Sequence, residues 1–310
     1  MKKKLFTAAY MLVLGMLGYI LVQLGVIDTI YVKRTDGYPI NLQQAGDTVS
    51  VISTGQADSA LISSGGKYCL IDMGQTEDGH IGVVEYLKLA GVKEIELMVV
   101  THFHSDHTSE LLDVLDSFRV KNVVMPNLTQ QNVPTADYFK TFLTKAERKG
   151  INLKPAVKDA EYTVGNGTVK ILADTYNDLT INDTSVATLF TQGNFTFLST
   201  GDGEAEYEKR LLNDFSQKVT LFAAGHHGSS TSNTAEFIKA INPDFITVSA
   251  GRYNEYGHPH KNVTKIFENM GIPYAVTAQQ GTLVYSITQN RLLDKNNFSG
   301  DGYVLQRNTD

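Results

Sequence analysis

Cysteine is almost absent from this chain of 310 residues: Cys69 stands alone. A single thiol forms no intrachain disulfide, and it excludes the thiolate-rich ligand sets of structural zinc sites. Cys69 lies in the apolar stretch Tyr68–Cys69–Leu70–Ile71 and reads as a small buried hydrophobe. Dense basic runs are missing too. The chain carries 27 Lys and Arg against 33 Asp and Glu; without Lys2, Lys3 and Lys4 the balance is 24 against 33, or −9. Duplex DNA is gripped largely through cationic contacts to phosphates. The balance therefore argues against a long duplex-binding face but leaves room for a short strand entering a cleft. Low-complexity tracts and short repeats are absent, and 42% hydrophobic content is enough for one large domain with its own core.

Long charge-free apolar runs are confined to residues 5–27, directly behind Met1–Lys2–Lys3–Lys4. About 20 such residues cross a bilayer core, and leading lysines favour a cytoplasmic start. The organisation expected is a cytoplasmic stub at 1–4, a transmembrane signal anchor at 5–27 and a tether at 28–48. A catalytic domain at 49–290 then lies outside the cell, followed by a tail at 291–310. A cleaved signal peptide, giving a secreted protein, is the alternative. Against it stand the length of the run and the lack of a clean small-x-small site; no cysteine is placed for lipidation.

Histidine is sparse but concentrated. Three of eight fall in Thr101–His102–Phe103–His104–Ser105–Asp106–His107, directly after the apolar run 95–100. Imidazole and carboxylate are ligands for zinc and similar divalent ions. If the apolar run is a buried strand, this segment sits at its C-terminal end, where α/β proteins place their sites. His102 and His104 alternate and can face one metal; Asp106 and His107 can face a second. Further apolar runs at 195–200, 219–224 and 245–249 lead to similar clusters. The first ends in Gly201–Asp202–Gly203 and the second in Gly225–His226–His227–Gly228–Ser229. The third leads to Tyr256–Gly257–His258–Pro259–His260. Seven of the eight histidines are thus expected on one cleft, with His80 outside it.

These motifs resemble the metallo-β-lactamase superfamily, and within it the extracytoplasmic C-terminal domain of the DNA-uptake channel ComEC and its stand-alone relatives. Gly55–Gln56–Ala57–Asp58–Ser59 and Leu70–Ile71–Asp72–Met73–Gly74 are similar to that group's opening strands, with Ala57 where glycine is usual. The resemblance spans roughly residues 49–287. It implies an α/β fold, a four-layer αββα sandwich, here preceded by one N-terminal transmembrane helix. It also implies two divalent ions, zinc first and manganese second. His102 and His104 would hold the first and Asp106 and His107 the second. Asp202 would bridge them, and His227 (or His226) would complete the second site. Asp106 and Asp202 would help orient the attacking water, and His258 would bind a phosphate oxygen or protonate the leaving group. Asp72 and Asp58 are candidates beside the ligands, each also readable as a turn or capping residue. His226, His260 and Ser229 could reach substrate; His260 also reads as an exposed loop residue, and Ser229 as part of a helix cap. Many members carry another histidine between the first motif and the bridging aspartate. Here none lies between His107 and His226, and Asn182–Asp183–Thr184–Ser185 occupies the corresponding region.

The coarse pattern places strands at 49–53, 59–63, 67–72, 121–125, 169–173, 185–190 and 196–199. Ser64–Gly65–Gly66 reads as a hairpin turn. Helices are expected at 80–90, with Ile81, Val83, Val84 and Leu87 on one face, and at 111–118, 139–149, 204–213 and 234–241. Paired metals can clamp the attacking and leaving oxygens of a phosphodiester, and zinc brings the pKa of a bound water to about 7. The expected function is a membrane-anchored phosphodiesterase using a metal-bridging hydroxide, nuclease-like or acting on an envelope phosphodiester. Its partners would be the bilayer and a phosphodiester, including short or single-stranded DNA; nothing calls for an obligate protein partner. The alternatives are a lactone or β-lactam hydrolase and a non-catalytic metal-containing binding module.

Overall fold

The computed structural model describes residues 46–293 apart from Asp78, Gln131, Thr135, Ala136 and Asp174. The anchor expected at 5–27, nearly all of the tether and the tail from 294 lie outside the described residues. Among the described residues, no helix is long and apolar enough to cross a membrane.

Two sheets are built in turn. The first begins with the antiparallel strands β1 (Thr48–Val51), β2 (Ala60–Ser64) and β3 (Lys67–Ile71). The β2–β3 hairpin turns at Gly65 and Gly66, both at positive φ, 52° and 73°, a pairing that glycine adopts without steric cost. Parallel strands β4 (Glu94–Val99), β5 (Arg119–Met125) and β6 (Asn152–Pro155) follow. Between them run helices α1 (Val83–Leu89), α2 (Ser105–Thr108), α3 (Leu111–Ser117) and α4 (Asp137–Arg148).

The second sheet repeats the plan. Antiparallel β7 (Glu161–Val164), β8 (Gly167–Ile171), β9 (Thr188–Gln192) and β10 (Phe195–Ser199) lead into parallel β11 (Leu221–Ala223), β12 (Phe245–Val248) and β13 (Tyr274–Val276). Helices α5 (Ala205–Leu211), α6 (Ala235–Ile241), α7 (Lys261–Asn269) and the short α8 (Thr277–Gln280) accompany them. Strands β14 (Leu283–Ser286) and β15 (Arg291–Leu292) return to the first sheet, whose order is β15-β14-β1-β2-β3-β4-β5-β6. The sheet therefore takes in Arg291 and Leu292, past the domain edge expected at 290.

Period-two alternation sorts each strand between layers. Leu61, Leu70 and Met98 face out onto Val83, Leu87, Leu111 and Phe142 of the helices. Their neighbours Ile62, Cys69, Ile71, Leu97 and Val99 face in, onto Val169, Phe190, Phe197 and Leu221 of the second sheet. On the far side Leu198, Phe222 and Ile246 meet Tyr207, Phe237 and Phe267. Three apolar interfaces between four layers give the αββα arrangement. Cys69 lies fully buried in the middle one, and burial pushes its thiol pKa far up. One face differs from expectation: α1 starts at Val83 and buries Val83, Tyr86 and Leu87, with Val84 only half-buried. Its first free N–H groups, those of Val83 and Val84, donate to the two oxygens of Glu110 at 3.0 Å each.

Candidate metal centre

Every cluster noted in the sequence emerges at the same edge of the sandwich. Asp58 lies in the β1–β2 loop and Asp72 follows β3. His102 to His107 follow β4, Asp202 follows β10, His226 and His227 follow β11, and His258 follows β12. Backbone hydrogen bonds stitch these ends together. Asp58 N–H donates to Asp106 O at 3.1 Å, Met73 N–H to His107 O at 2.8 Å and His226 N–H to Gly201 O at 3.1 Å.

Two groups of donor atoms result, and Asp202 belongs to both. Asp58, His107, Asp202 and His227 each present one ligand atom within 4.8 Å of the others, and so do His102, His104 and Asp202. Asp202 Oδ1 lies 3.2 Å from His107 Nε2. Its Oδ2 lies 3.8 Å from His102 Nε2, 3.7 Å from His226 Nε2 and 3.9 Å from His227 Nε2. Asp106 Oδ2 is 3.1 Å from His227 Nε2 and 4.0 Å from His107 Nε2. His102 Nε2, His107 Nε2 and Asp202 Oδ1 are buried without a hydrogen-bond partner. Buried polar atoms are seldom left so, and these three face one another. A nitrogen and oxygen set of this kind suits zinc or manganese, so the residues fit the ions that the motif implies. His227 stands inside the first group. His226 keeps to the rim, its Nδ1 paired with Thr231 Oγ1 at 3.1 Å.

The imidazoles are aimed from behind. Asp72, 2% exposed, accepts from His107 Nδ1 at 2.7 Å, from Thr101 Oγ1 at 2.6 Å and from Thr101 N–H at 2.8 Å. That fixes the proton of His107 on Nδ1 and leaves Nε2 for the cluster. His227 is held likewise, with Nδ1 3.2 Å from Ser249 O. Burial opposes charge on His107, yet Asp202 and Asp72 outweigh it and hold its pKa well above the ordinary value. Burial also opposes charge on His227, but Asp58 and Asp202 lift it to about 9. On Asp106 burial works upward, and His227 and His107 bring it down to about 2. Carboxylates therefore dominate the field here and favour a positive charge among them, whether protons on imidazole or a cation that displaces those protons.

His226 and His227 both adopt left-handed backbone, at φ 51° and 55°, a conformation costing roughly 1–3 kcal/mol per non-glycine residue. Asn233 holds the turn. Its Oδ1 accepts from Gly225 N–H at 3.0 Å, and its Nδ2 donates to Gly225 O at 2.8 Å and Ser229 O at 3.2 Å. Glu208, 1% exposed, in turn accepts the N–H groups of Asn233 and Thr234 at 2.5 and 2.9 Å. In Glu208→Gln one of those N–H groups faces an amide donor. Thermal melting should show a loss of about 1–3 kcal/mol, the cost of a buried unsatisfied group; an unchanged midpoint would remove Glu208 from this role.

His258 accepts from Gln56 Nε2 at Nδ1, 3.0 Å, and its ring lies 5.7 Å from that of His226 and 6.1 Å from that of His227. His260 is spent on scaffolding: Nδ1 accepts from Ser230 N–H at 2.9 Å and Nε2 donates to Tyr256 O at 3.1 Å. Ser229 is buried within its own turn, its Oγ 3.1 Å from Thr231 Oγ1. The cap of α6 is Thr234, not the serines before it. His80 pairs with Ser53 Oγ at 3.2 Å. In the region without the extra histidine, a 3-10 turn at Asn182–Thr184 brings Ser185 Oγ to accept Asp202 N–H at 3.1 Å. The sequence reading missed the parts played by Thr101, Gln56, Asn233 and Glu208. Thr101 and Gln56 lie inside motifs that the sequence displays; Asn233 and Glu208 do not.

Comparison with known proteins agrees with this geometry. The profile of the metallo-beta-lactamase superfamily matches residues 52–252. ComE operon protein 3 of Bacillus subtilis is 27% identical over 77% of this chain and 31% of its own length. Competence protein ComA of Neisseria gonorrhoeae is 25% identical over 77% of the chain and 32% of its own. The chain spans about a third of the length of these curated relatives. Among solved structures, the metallo-beta-lactamase fold protein YhfI of Bacillus subtilis superposes with a TM-score of 0.53 at 14% identity, covering 77% of this chain and 99% of that one; this is a likeness of fold.

Proposed function

Because the chain belongs to the metallo-β-lactamase superfamily, we propose that it is a membrane-anchored, extracytoplasmic phosphodiesterase working with two divalent ions, zinc or manganese. The observation that carries this reading is Asp202, shared by two donor groups within which His102 Nε2, His107 Nε2 and Asp202 Oδ1 are buried without a hydrogen-bond partner. When bound, such ions supply Lewis acidity toward a phosphoryl group and make water acidic enough to serve as nucleophile at neutral pH. The chain's own residues supply aim and polarity. Asp72 keeps His107 in one tautomer, and Asp106 and Asp202 stay ionised to orient the water. Burial first, then His227 and His260, lower the pKa of His258 to about 4. It is therefore neutral at pH 7, and with Nδ1 accepting from Gln56 its Nε2–H is a donor for a phosphate oxygen. That role fits better than protonation of the leaving group. Similarity to competence proteins supports a phosphodiester substrate, and the apolar run 5–27 supports the anchor.

The test uses the full chain in mild detergent. Elemental analysis should find about two ions per chain, and hydrolysis of bis(p-nitrophenyl) phosphate should vanish with chelator and return with manganese or zinc. Two ions without diester cleavage would move the substrate to lactones or β-lactams. No ion and no activity would leave a binding module.

A further inference from the structure

We propose that the loop 251–258 is a stacking platform for a nucleobase of single-stranded DNA flanking the phosphodiester to be cut; this rests on the phosphodiesterase reading above. Tyr253 and Tyr256 are 92% and 69% exposed, the two highest values among the large hydrophobic side chains described. The loop beneath them is firmly tied. Asn254 Nδ2 donates to Gly251 O at 2.7 Å and to His258 O at 2.8 Å, and its Oδ1 accepts His258 N–H at 2.8 Å. Gly251 N–H donates to Gln56 Oε1 at 3.0 Å. A tip held this way presents its aromatic rings with little ordering left to be done on binding.

The rings also form a series leading out from the metal centre. His227 and His258 lie 6.1 Å apart with planes at 25°, and His258 and Tyr256 lie 5.6 Å apart at 21°. The innermost ring belongs to a candidate ligand and the outermost to an exposed tyrosine. A flat group laid on that tyrosine continues a stack that begins beside the reacting phosphate. A nucleobase is flat and joined to a phosphodiester by a short linkage; a polyol phosphate of the cell envelope offers no such face. In a duplex both faces of each base are already covered, so the strand must be single.

Charge supports stacking as the source of grip. Arg252, its Nε donating to Ala278 O at 3.3 Å, is offset on the same loop by Glu255, and the whole chain carries a net charge of −6. Phosphate neutralisation alone would bind weakly and depend steeply on salt, because it releases counterions, whereas stacking on aromatic side chains releases none of its own and tolerates any base sequence.

The test is binding of a short 2-aminopurine-labelled single-stranded oligonucleotide to the full chain in detergent micelles. The chain carries Asp202→Asn so that the strand is held and not cut. Quenching of the label is expected, with little loss of affinity as salt rises. Added Tyr253→Ala or Tyr256→Ala should weaken binding about 5- to 150-fold, the scale of one base–aromatic stack, and Tyr256→Phe should restore it. An abasic strand should not distinguish these variants. Alanine variants within about twofold of their parent, equal affinity for the abasic strand, or equal competition by a glycerol phosphate polymer would overturn the platform. Hydrolysis of bis(p-nitrophenyl) phosphate by the unaltered chain is measured alongside. If that diester is cut while the platform test fails, only this inference falls. If no diester is cut, the phosphodiesterase reading falls and this inference with it.

Discussion

Asp202→Asn should lower phosphodiester hydrolysis by about 100- to 1000-fold, the scale seen when a group that stabilises transition-state charge is removed, while the protein stays folded. Asp202 is 1% exposed and its two oxygens lie among four imidazoles, those of His107, His102, His226 and His227. Burial alone would raise its pKa, but His107 and His227 hold it well below the usual carboxylate range. It is thus a fixed negative charge common to both donor groups, and asparagine removes that charge at constant size. The backbone need not suffer, because Asp202 N–H is held by Ser185 Oγ and not by its own side chain. The measurement is initial rate with saturating metal, together with metal content and thermal melting. A folded variant that keeps two ions and the parental rate would sink the shared-ligand mechanism. Retained folding with both ion content and rate collapsed would support it.

The parts of this molecule legible in its sequence are those where one local pattern has one physical outcome. Strands covered on both faces read as near-continuous apolar runs, which is why β4, β10 and β12 stood out despite Glu96 and Thr196. The motif from His102 to His107 packs its candidate ligands into one turn; the structure places His102 and His104 in one donor group and His107 in the other, with Asp58 and not Asp106 beside it. Edge strands were not legible: β6 and β7 are half-exposed and carry Lys154 and Glu161, so no apolar period marks them. Helix α7 was missed although Val263 and Phe267 give it a buried stripe; the histidines before it drew the reading toward a loop. On α1, Tyr86 is not among the residues of the expected apolar face, yet it is fully buried. Long-range partners were the hardest to see. Asn233 and Glu208 are 25 residues apart, and only the folded chain reveals that both hold the histidine turn. Asp58 stayed ambiguous for the same reason, since its place beside Asp106 depends on the β1–β2 loop reaching across β3 to the turn after β4.

Asp72→Asn carries the second large effect, and its argument begins with the backbone. Asp72 sits at φ 56°, a left-handed position that asparagine tolerates about as well as aspartate. The substitution therefore leaves the chain path undisturbed and changes only chemistry. In the parent, Oδ1 accepts Thr101 N–H at 2.8 Å, and Oδ2 accepts both Thr101 Oγ1 at 2.6 Å and His107 Nδ1 at 2.7 Å. An amide in the same place has one acceptor and one donor group. If its oxygen keeps Thr101 N–H, its NH2 faces His107 Nδ1 and drives the imidazole proton to Nε2, the nitrogen needed for the metal. If it flips, Thr101 N–H is buried without an acceptor, at a cost of about 1–3 kcal/mol. In the first orientation the aim of His107 is lost, and metal affinity should fall about 10- to 100-fold, the usual effect of losing such a support; the flipped amide keeps His107 Nδ1 as its donor and gives up stability instead. Hydrolysis at limiting metal should fall with it and recover in part at saturating metal. Asp202→Asn should give no such recovery, because Asp202 is the candidate ligand common to both donor groups and not a residue that aims one. Titration of activity against free zinc or manganese separates the two cases. An Asp72→Asn variant with the parental metal curve would mean that His107 needs no carboxylate behind it, a neutral acceptor at the Oδ2 position being enough.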